Sequence, residues 1–374
     1  MRTIQVINVR WFNATAWYAL FLAGLLRDRG HPVLVIALPD TPPYQKAREL
    51  GLDVRPLSLN SANPFKLLQV YLDLKKIVRE FKPDVVNCHR GEAFFLWPLL
   101  QTGKKKFALI RTRGDQRPPK NNFFNKILHK YLCQAVIVTN TRMKKHFAEK
   151  FRLAPKKLHM SLGGVDENIF YPRDNARNDI RCKFGFAEKC LVLGLVGRFD
   201  TVKGQKELIE SVGRLYHGRK IRNLRLFLIG FSSAITEETV RGWISRNNLD
   251  SICRISGSVD CPPEYISALD LAIINSQWSE TIARAALEIM ACQVPLISTD
   301  VGVIPDLLPA EALFKPGAPR QLDNAILKFQ AKAKRKEILA KESERISRLT
   351  AENFVNKTLA VYRNASGTQP RPQI

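Results

Sequence analysis

Short apolar runs alternate with longer amphipathic stretches along most of the chain. The runs at residues 3–9 and 85–88 are rich in β-branched residues and short enough to be strands buried on both faces. The stretches between such runs place apolar residues at helical spacing, as in residues 64–81. Alternating strands and helices of this kind predict an α/β fold with doubly wound, Rossmann-like parallel sheets.

The alternation occurs twice, which predicts two domains. We predict an N-terminal Rossmann-like domain at residues 1–170 and a C-terminal one at residues 171–349. Residues 350–374 are predicted to form a helix that crosses back to the first domain, followed by a tail. The polar, proline-containing stretch 172–179 indicates a linker. A chain of 374 residues is long enough for two hydrophobic cores.

The net charge of +25 is unevenly distributed along the chain. Residues 1–170 hold 29 Lys and Arg against 12 Asp and Glu, and residues 104–157 hold 16 basic side chains against two acidic ones. Such a basic domain predicts a polyanionic neighbour: anionic lipid headgroups, a phosphorylated glycan or nucleic acid. No nucleic-acid-binding motif accompanies the charge, so we expect no nucleic-acid partner.

Cysteine usage and the lengths of the apolar runs exclude further kinds of protein. The seven cysteines are scattered and form no Cys-x-x-Cys pair, which argues against both a disulfide framework and a zinc site. No apolar stretch reaches the length of about 20 residues that a membrane-spanning helix needs. We therefore expect a protein of the reducing cytoplasm. A dinucleotide-dependent oxidoreductase is disfavoured because no Gly-x-Gly-x-x-Gly follows either opening strand.

Two carboxylates in the second half are the first candidates for chemistry. Glu280 and Glu288 are eight positions apart, and Glu288 lies in a helix-forming run. If one helix carried both, they would face the same side about 12 Å apart, which suits an extended ligand. The start of that helix would present free N–H groups to a phosphate.

A loop that follows the apolar run 191–196 supplies cations. It contains Gly197, Arg198 and Lys203, and it lies where parallel strands place their ligands, at a carboxyl end. Gly197 allows close backbone approach, and both cations can reach a phosphate. Alone, such charges are more often simply solvated. Their combination with Glu280 and Glu288 favours a binding site.

Several motifs in a fixed order carry a resemblance to a known family. In chain order they are Gly163-Gly-Val-Asp166 with Phe170-Tyr-Pro172, Gly197-Arg198 with Lys203-Gly204, Glu280 with Glu288, Ala291-Cys-Gln-Val-Pro295, and Thr299-Asp-Val-Gly302. Together they resemble the retaining glycosyltransferases of family 4 (glycosyl transferases group 1). That resemblance implies the GT-B fold, in which two Rossmann-like domains face a central cleft.

The resemblance also implies roles for individual residues. The donor-binding residues would be Gly197, Arg198, Lys203, Glu280, Thr281, Ile282 and Glu288. Arg198, Lys203 and Glu280 would be catalytic: the two cations hold the diphosphate and stabilise its charge as the sugar leaves, while Glu280 binds hydroxyls of that sugar. Glu288 would bind the ribose, and amides near Thr281 and Ile282 would assist. We expect no cofactor and no metal, because these cations meet the developing charge themselves.

The sequence departs from the family pattern at several positions. Thr281-Ile-Ala-Arg284 stands where glycines usually follow the first Glu, Gln293 replaces a glycine before Val-Pro, and Asp306 replaces a Glu. In the first domain, Arg10-Trp-Phe-Asn13 replaces the usual glycine pair. These departures bear on which sugar the donor carries and on the acceptor side.

Three residues of the first domain are acceptor-side candidates. Arg113 and Asp115 follow a predicted strand where many relatives place a His, although they would also suit a loop ion pair. His89 ends another predicted strand, but a lone His is more often structural.

Residues 120–132 mix aromatic side chains with lysines, as a helix at a membrane interface does. Phe123, Ile127 and Leu128 would equally form the core face of such a helix.

The sequence thus predicts a retaining glycosyltransferase that uses a nucleotide-sugar donor. Its acceptor would be a lipopolysaccharide or another lipid-linked cell-surface glycan, reached from the inner face of an anionic membrane by a peripheral enzyme. Two alternatives stay open: a GT-B nucleotide-sugar epimerase, which would share the donor half, and a non-catalytic polyanion-binding protein, which would depend on charge alone.

Overall fold

The computed structural model describes residues 1–61, 63–101, 107–115 and 117–367. The chain divides into two compact units, here called unit 1 and unit 2. Unit 1 comprises Met1–Gly163 and the segment that begins at Ala351, and unit 2 is Gly164–Thr350. The first boundary falls after residue 163, whereas the sequence predicts it after residue 170. The expected tail lies outside the described residues from position 368 onward.

Unit 1 is built on a parallel sheet. Its strands are β1 (Thr3–Ile7), β2 (Val33–Ala37), β3 (Asp53–Pro56), β4 (Val85–Cys88), β5 (Ala108–Arg113), β6 (Ala135–Val138) and β7 (Leu158–Met160). They lie in the order β3-β2-β1-β4-β5-β6-β7. The helices between them are α1 (Ala14–Asp28), α2 (Pro42–Glu49), α3 (Pro64–Phe81), α4 (Leu96–Leu99), α5 (Phe123–Ile127) and α6 (Thr141–Glu149). The central strands β1, β4 and β5 are buried along their length, including the polar residues at the carboxyl end of β5.

Unit 2 repeats this architecture. Its strands are β8 (Leu191–Val196), β9 (Leu224–Ile229), β10 (Cys253–Ile255), β11 (Leu271–Ile274), β12 (Leu296–Thr299) and β13 (Leu313–Phe314). They lie in the order β10-β9-β8-β11-β12-β13, again all parallel. Its helices are α7 (Asp174–Lys183), α8 (Gln205–His217), α9 (Glu237–Arg246), α10 (Pro262–Ser267), α11 (Arg284–Ala291), α12 (Ile304–Leu307), α13 (Pro319–Phe329) and α14 (Lys332–Ile346). The strand order reverses between β8 and β11, and doubly wound sheets bind their ligands at such a switch point.

The last helix, α15 (Ala351–Ser366), packs on unit 1 rather than on unit 2, which precedes it in the chain. The buried Tyr362 hydroxyl accepts hydrogen bonds from Asn87 Nδ2 at 2.8 Å and from Gln5 Nε2 at 3.3 Å. Asn87 lies on β4 and Gln5 on β1. The helix is therefore fixed to the two strands at the switch point of the first sheet.

The predicted linker at residues 172–179 is wrong, because most of it belongs to α7. Arg177 and Arg181 on this helix each donate a hydrogen bond of 2.6 Å to a different oxygen of Asp270. The Asp270 carboxylate also accepts from the backbone N–H of Val192 on β8. Arg177, one of the polar side chains that suggested a solvated linker, is thus a partner in a tertiary contact, which a local sequence pattern does not reveal.

Candidate active site

The predicted donor-site residues gather at the switch point of the unit 2 sheet. Gly197 follows the last residue of β8, and Asn275 follows the last residue of β11. Because β8 and β11 are hydrogen-bonded neighbours, the loops that leave their carboxyl ends begin side by side. Short polar contacts then hold the two loops together.

Glycines allow close backbone approach at this edge: Gly204 lies against the loop after β11, and Gly230, after β9, lies against Gly197. Gly204 has φ 68°, and a Cβ there would lie 2.2 Å from the Asn275 carbonyl oxygen. Gly197 has φ 144°, and a Cβ on neighbouring Gly230 would lie 2.1 Å from its carbonyl oxygen. Asn275 Nδ2 donates to the Gly204 carbonyl at 2.8 Å. Larger residues at Gly204 and Gly230 would push these backbones apart.

Lys203 and Glu280 meet where the two loops join. Lys203 Nζ donates to Glu280 Oε1 at 2.5 Å, and the Ser276 hydroxyl donates to the same oxygen at 2.5 Å. Glu280 is only 6% exposed, and its carbonyl accepts from the backbone N–H of Val303 at 2.8 Å. Gly302 makes room for it, since a Cβ there would lie 1.8 Å from that carbonyl oxygen. Both ends of Glu280 are thereby fixed.

Arg198 lies on the same loop as Lys203 but has a different partner. Its guanidinium donates to Asp200 Oδ2 at 2.9 and 3.2 Å, and its side chain is 42% exposed. Its backbone carbonyl accepts from Gln205 Nε2 at 2.9 Å. The structure therefore supplies one cation in contact with Glu280 and a second, more exposed cation five positions earlier.

Glu280 and Glu288 do not share one helix, so the separation of about 12 Å that a common helix would give does not apply. Helix α11 begins at Arg284, so Glu280 lies in the loop before it, and so do Thr281 and the buried Ile282. The reason is that Ala283, the residue before the helix, adopts a left-handed conformation with φ 50° and ψ 47°. That conformation breaks the helical path between the two acids.

Glu288 lies on α11, is 6% exposed and is paired along the helix. Arg284 Nε donates to Glu288 Oε1 at 2.5 Å, one turn earlier on the same helix. Burial raises the pKa of Glu288, and the nearby Arg284 guanidinium opposes that rise. Each of the two acids therefore has a cation in contact with it: Lys203 for Glu280 and Arg284 for Glu288.

Two departures from the family pattern keep the backbone geometry that glycine favours. Ala283 and Gln293 have φ 50° and 56°, in the left-handed region that side chains with a Cβ rarely adopt. Gln293 Oε1 accepts a hydrogen bond from the Ser343 hydroxyl on α14. The loops thus retain glycine-like turns without the glycines.

The acceptor-side candidates lie in unit 1. Asp115 is the centre of a cluster of arginines, with Arg90 at 2.9 Å, Arg113 at 3.3 Å and Arg111 at 3.6 Å. His89 is fully buried and its Nε2 lies 2.9 Å from Gln5 Oε1. Burial lowers the pKa of His89 to about 3, so its ring is neutral at physiological pH.

Sequence reasoning missed four residues of this arrangement. Ser276, Asn275, Arg284 and Arg90 each contact a predicted residue or fix its loop. For Ser276 and Asn275 a usable signal existed, because polar residues directly after a buried strand of a parallel sheet lie at its ligand-binding edge. For Arg284 and Arg90 the sequence shows only charge, and the contacts depend on the fold.

No metal centre is visible in the part of the chain that the structure describes. Within it, no three His, Cys, Asp or Glu side chains come together in a group that would hold an ion.

Two family models match the chain, one for each unit. The model described as Glycosyl transferases group 1 matches residues 176–345. The model described as Glycosyltransferase Family 4 matches residues 15–168. Together the two matches extend over most of the chain.

Two curated relatives are similar to parts of it. An uncharacterized glycosyltransferase of Methanocaldococcus jannaschii is 24% identical over 251 residues, which is 63% of this chain and 60% of that protein. Mannosylfructose-phosphate synthase of Agrobacterium fabrum is 31% identical over 189 residues, 48% of this chain and 41% of that protein. The chain thus spans about half the length of the curated relatives it matches.

Two solved structures share the fold over nearly the whole chain. A glycosyltransferase from Rickettsia africae ESF-5 has a TM-score of 0.87 at 17% identity, covering 98% of this chain and 99% of that one. HepE of Anabaena, in complex with UDP and glucose, has a TM-score of 0.78 at 16% identity, covering 96% and 98%. The predicted fold class, two Rossmann-like α/β domains, is confirmed.

The left-handed conformation of Ala283 leads to a stability prediction. Ala283→Gly should raise the free energy of unfolding of unit 2 by about 1 kcal/mol, because glycine adopts this conformation without the Cβ clash. Ala285→Gly, two residues later inside α11, should lower it by about 1 kcal/mol, because glycine is unfavourable within a helix. Urea unfolding of both variants tests the pair. Equal destabilisation by both would contradict the assignment of strain to residue 283.

Proposed function

This chain belongs to the GT-B glycosyltransferases of family 4 (glycosyl transferases group 1), and we propose that it transfers a sugar from a nucleotide-sugar donor to an acceptor with retention of configuration. The observation that carries this proposal is the contact between Lys203 and Glu280 at the carboxyl ends of β8 and β11. It places a cation beside a carboxylate that can bind hydroxyls. A nucleotide sugar carries the matching groups next to each other: a diphosphate for the cation and sugar hydroxyls for the carboxylate.

In the proposed reaction, the bond between the sugar's anomeric carbon and the diphosphate oxygen breaks. The electron pair of that bond stays on the diphosphate oxygen. The acceptor hydroxyl forms the new bond to the anomeric carbon and gives its proton to the departing diphosphate. Arg198 and Lys203 stabilise the negative charge on the leaving diphosphate, and they are held in place before the reaction begins. No metal is needed in this scheme.

The other donor contacts follow from the positions of the acids. Glu280 binds hydroxyls of the sugar and Glu288 binds the two ribose hydroxyls, while Gly197 leaves room for the diphosphate. The amides near Thr281 and Ile282 lie between the two acids, on the loop that leads into α11. The UDP and glucose in the Anabaena structure support a nucleotide-sugar donor.

We propose that unit 1 binds the acceptor, with Arg113 and Asp115 on the acceptor side. Arg113 is 9% exposed, and Asp115 lies among three guanidinium groups, so these side chains are held rigidly at the carboxyl end of β5. His89 is buried beneath this edge. It would act on the acceptor only indirectly, through Gln5 and the hydrogen-bonded network that reaches Tyr362.

The proposed acceptor is a lipopolysaccharide or another lipid-linked glycan, reached by peripheral binding at the inner face of an anionic membrane. The support comes from α3 and α5, which expose apolar side chains among lysines and arginines. On α3 the exposed side chains are Phe65 (83%), Leu68 (58%) and Leu72 (48%), and on α5 they include Phe123 (79%). Phe123 is therefore not part of the core, whereas Leu128, named with it as a core-face candidate, is buried. Among the described residues, no helix is long and apolar enough to cross a bilayer.

Two substitutions test the donor site. Lys203→Ala should lower the transfer rate by about 10²–10³-fold, because one preorganised cation for the leaving group is lost. Glu288→Ala should abolish transfer by removing the ribose contact. The assay follows a labelled sugar from its nucleotide donor into membrane glycolipid. Lys206→Ala, which removes an exposed lysine of α8 paired with Glu210, is the matched control and should leave transfer unchanged.

Near-normal transfer by either Lys203→Ala or Glu288→Ala would contradict the assignment. Release of free nucleotide or conversion of the sugar without any acceptor would favour the epimerase alternative.

The proposed membrane-binding surface on α3 can be tested separately. Replacing Phe65, Leu68 and Leu72 together by Ser should weaken binding to vesicles containing phosphatidylglycerol by at least about tenfold, because their apolar area is lost from the interface. The binding is measured by sedimentation with phosphatidylcholine vesicles, with and without phosphatidylglycerol. As a control, replacing Phe231 and Trp278, which are exposed on unit 2, by Ser should not change the binding. Unchanged binding by the α3 variant would contradict this surface.

A further inference from the structure

The ion pair between Arg284 and Glu288 is unusual for its place on α11. Glu288 is 6% exposed, whereas the Arg284 side chain that donates to it at 2.5 Å is 42% exposed. One partner is thus almost out of water while the other remains in contact with it. The pair joins the buried donor-site acid to the surface.

Stability of the helix does not account for this pair. Arg284 is the first residue of α11, and a cation is unfavourable there because the N-terminus carries the positive end of the helix dipole. An Arg that precedes a Glu by four residues also has the less favourable order along a helix. By contrast, Glu237 precedes Arg241 on α9 in the favourable order, with both side chains more exposed than Glu288.

The burial of Glu288 explains why this acid is paired with Arg284. A carboxylate removed from water tends to take up a proton unless a cation or hydrogen-bond donors compensate its charge. Burial does raise the pKa of Glu288, and what lowers it again is the charge and the hydrogen bond of Arg284. Arg284 therefore favours the ionised form.

The elements that pack against α11 carry other titratable groups. Helix α10 carries Glu264, and α14 carries the buried Glu342, which accepts from the backbone N–H of Leu296. Cys292, one turn further along α11, has its pKa raised to about 12 by burial and by Glu288. Arg173 acts on Cys292, but the pKa of Glu288 responds to burial and to Arg284. β12 contributes no charged side chain.

The charge of Glu288 matters for a ribose ligand. Two ribose hydroxyls that both donate to one carboxyl group need both oxygens as acceptors, which a carboxylate provides. A protonated carboxyl has given one of its acceptor positions to its own O–H. The affinity for a ribose should therefore follow the ionisation of Glu288.

We propose that Arg284 is a positioning residue for donor binding, which holds the Glu288 carboxylate ionised and oriented toward the ribose of the nucleotide sugar. This inference rests on the proposed function of the site. Arg284 is the last residue of the Thr281-Ile-Ala-Arg284 stretch, which lacks the glycines of the family pattern.

The test compares the affinity for a nucleotide sugar across pH in the full-length protein and in Arg284→Met. The probe is UDP-, GDP- or ADP-glucose, whichever binds the wild type, because the diphosphate diester does not titrate between pH 5.5 and 8.5. In Arg284→Met the pKa of Glu288 should rise. Its affinity should then fall about tenfold for each pH unit below that pKa and recover at alkaline pH. Calorimetric titration measures both profiles.

Three controls separate the possible outcomes. Arg284→Lys should restore most of the wild-type profile, since it restores the charge. Arg241→Met removes the other helical Arg–Glu pair and should leave the profile unchanged. A loss of affinity in Arg284→Met that is equal at every pH would overturn the proposal, and so would an unchanged affinity. If the wild type bound none of the three probes, the proposed function itself would fail and this inference with it.

Discussion

Glu280 and Glu288 are buried carboxylates at the carboxyl edge of the unit 2 sheet, and their negative charges must be compensated. The rest of the site is arranged around that requirement. Taking an ion out of water costs several kcal/mol unless opposite charge and hydrogen bonds replace the water. Lys203 and Ser276 do so for Glu280, and Arg284 does so for Glu288. Lys203 comes from the loop after β8 and Glu280 from the loop after β11, so this pairing also fixes the two loops to each other. A bound diphosphate would share a cation that is already in position.

Much of the fold was predictable because strands buried on both faces leave continuous apolar runs in a sequence. The central strands of both sheets lie where those runs predict them. The failures occur where tertiary contacts determine the structure. The predicted linker 172–179 is helical from Asp174 onward, and its Arg177 binds Asp270, 93 positions later in the chain. Nothing in the local pattern distinguishes such a helix from a solvated linker.

The site was predictable in its members but not in its geometry. The motifs indicated Gly197, Lys203 and Glu280, which the structure brings together through close backbone contact and the hydrogen bond from Lys203 to Glu280. The residue at which α11 begins could not be predicted, because the left-handed conformation of Ala283 has no sequence signal once glycine is absent. Arg284 was noticed only as a departure, since its contact with Glu288 depends on where α11 begins. The backbone conformation at Ala283 thus determines which residues lie in the loop and which lie on α11.

The central claim is that unit 2 binds nucleotide sugars, and a thermal-shift screen of UDP-, GDP- and ADP-sugars tests it most directly. A ligand that binds only the folded state stabilises it by RT ln(1 + [L]/Kd), about 2.7 kcal/mol at one hundred times Kd. We expect at least one of these nucleotide sugars to raise the melting temperature of the wild type. The same nucleotide sugar should have no effect on the Glu288→Ala variant. Stabilisation by inorganic polyphosphate but by none of the nucleotide sugars would contradict the account and favour a polyanion-binding protein.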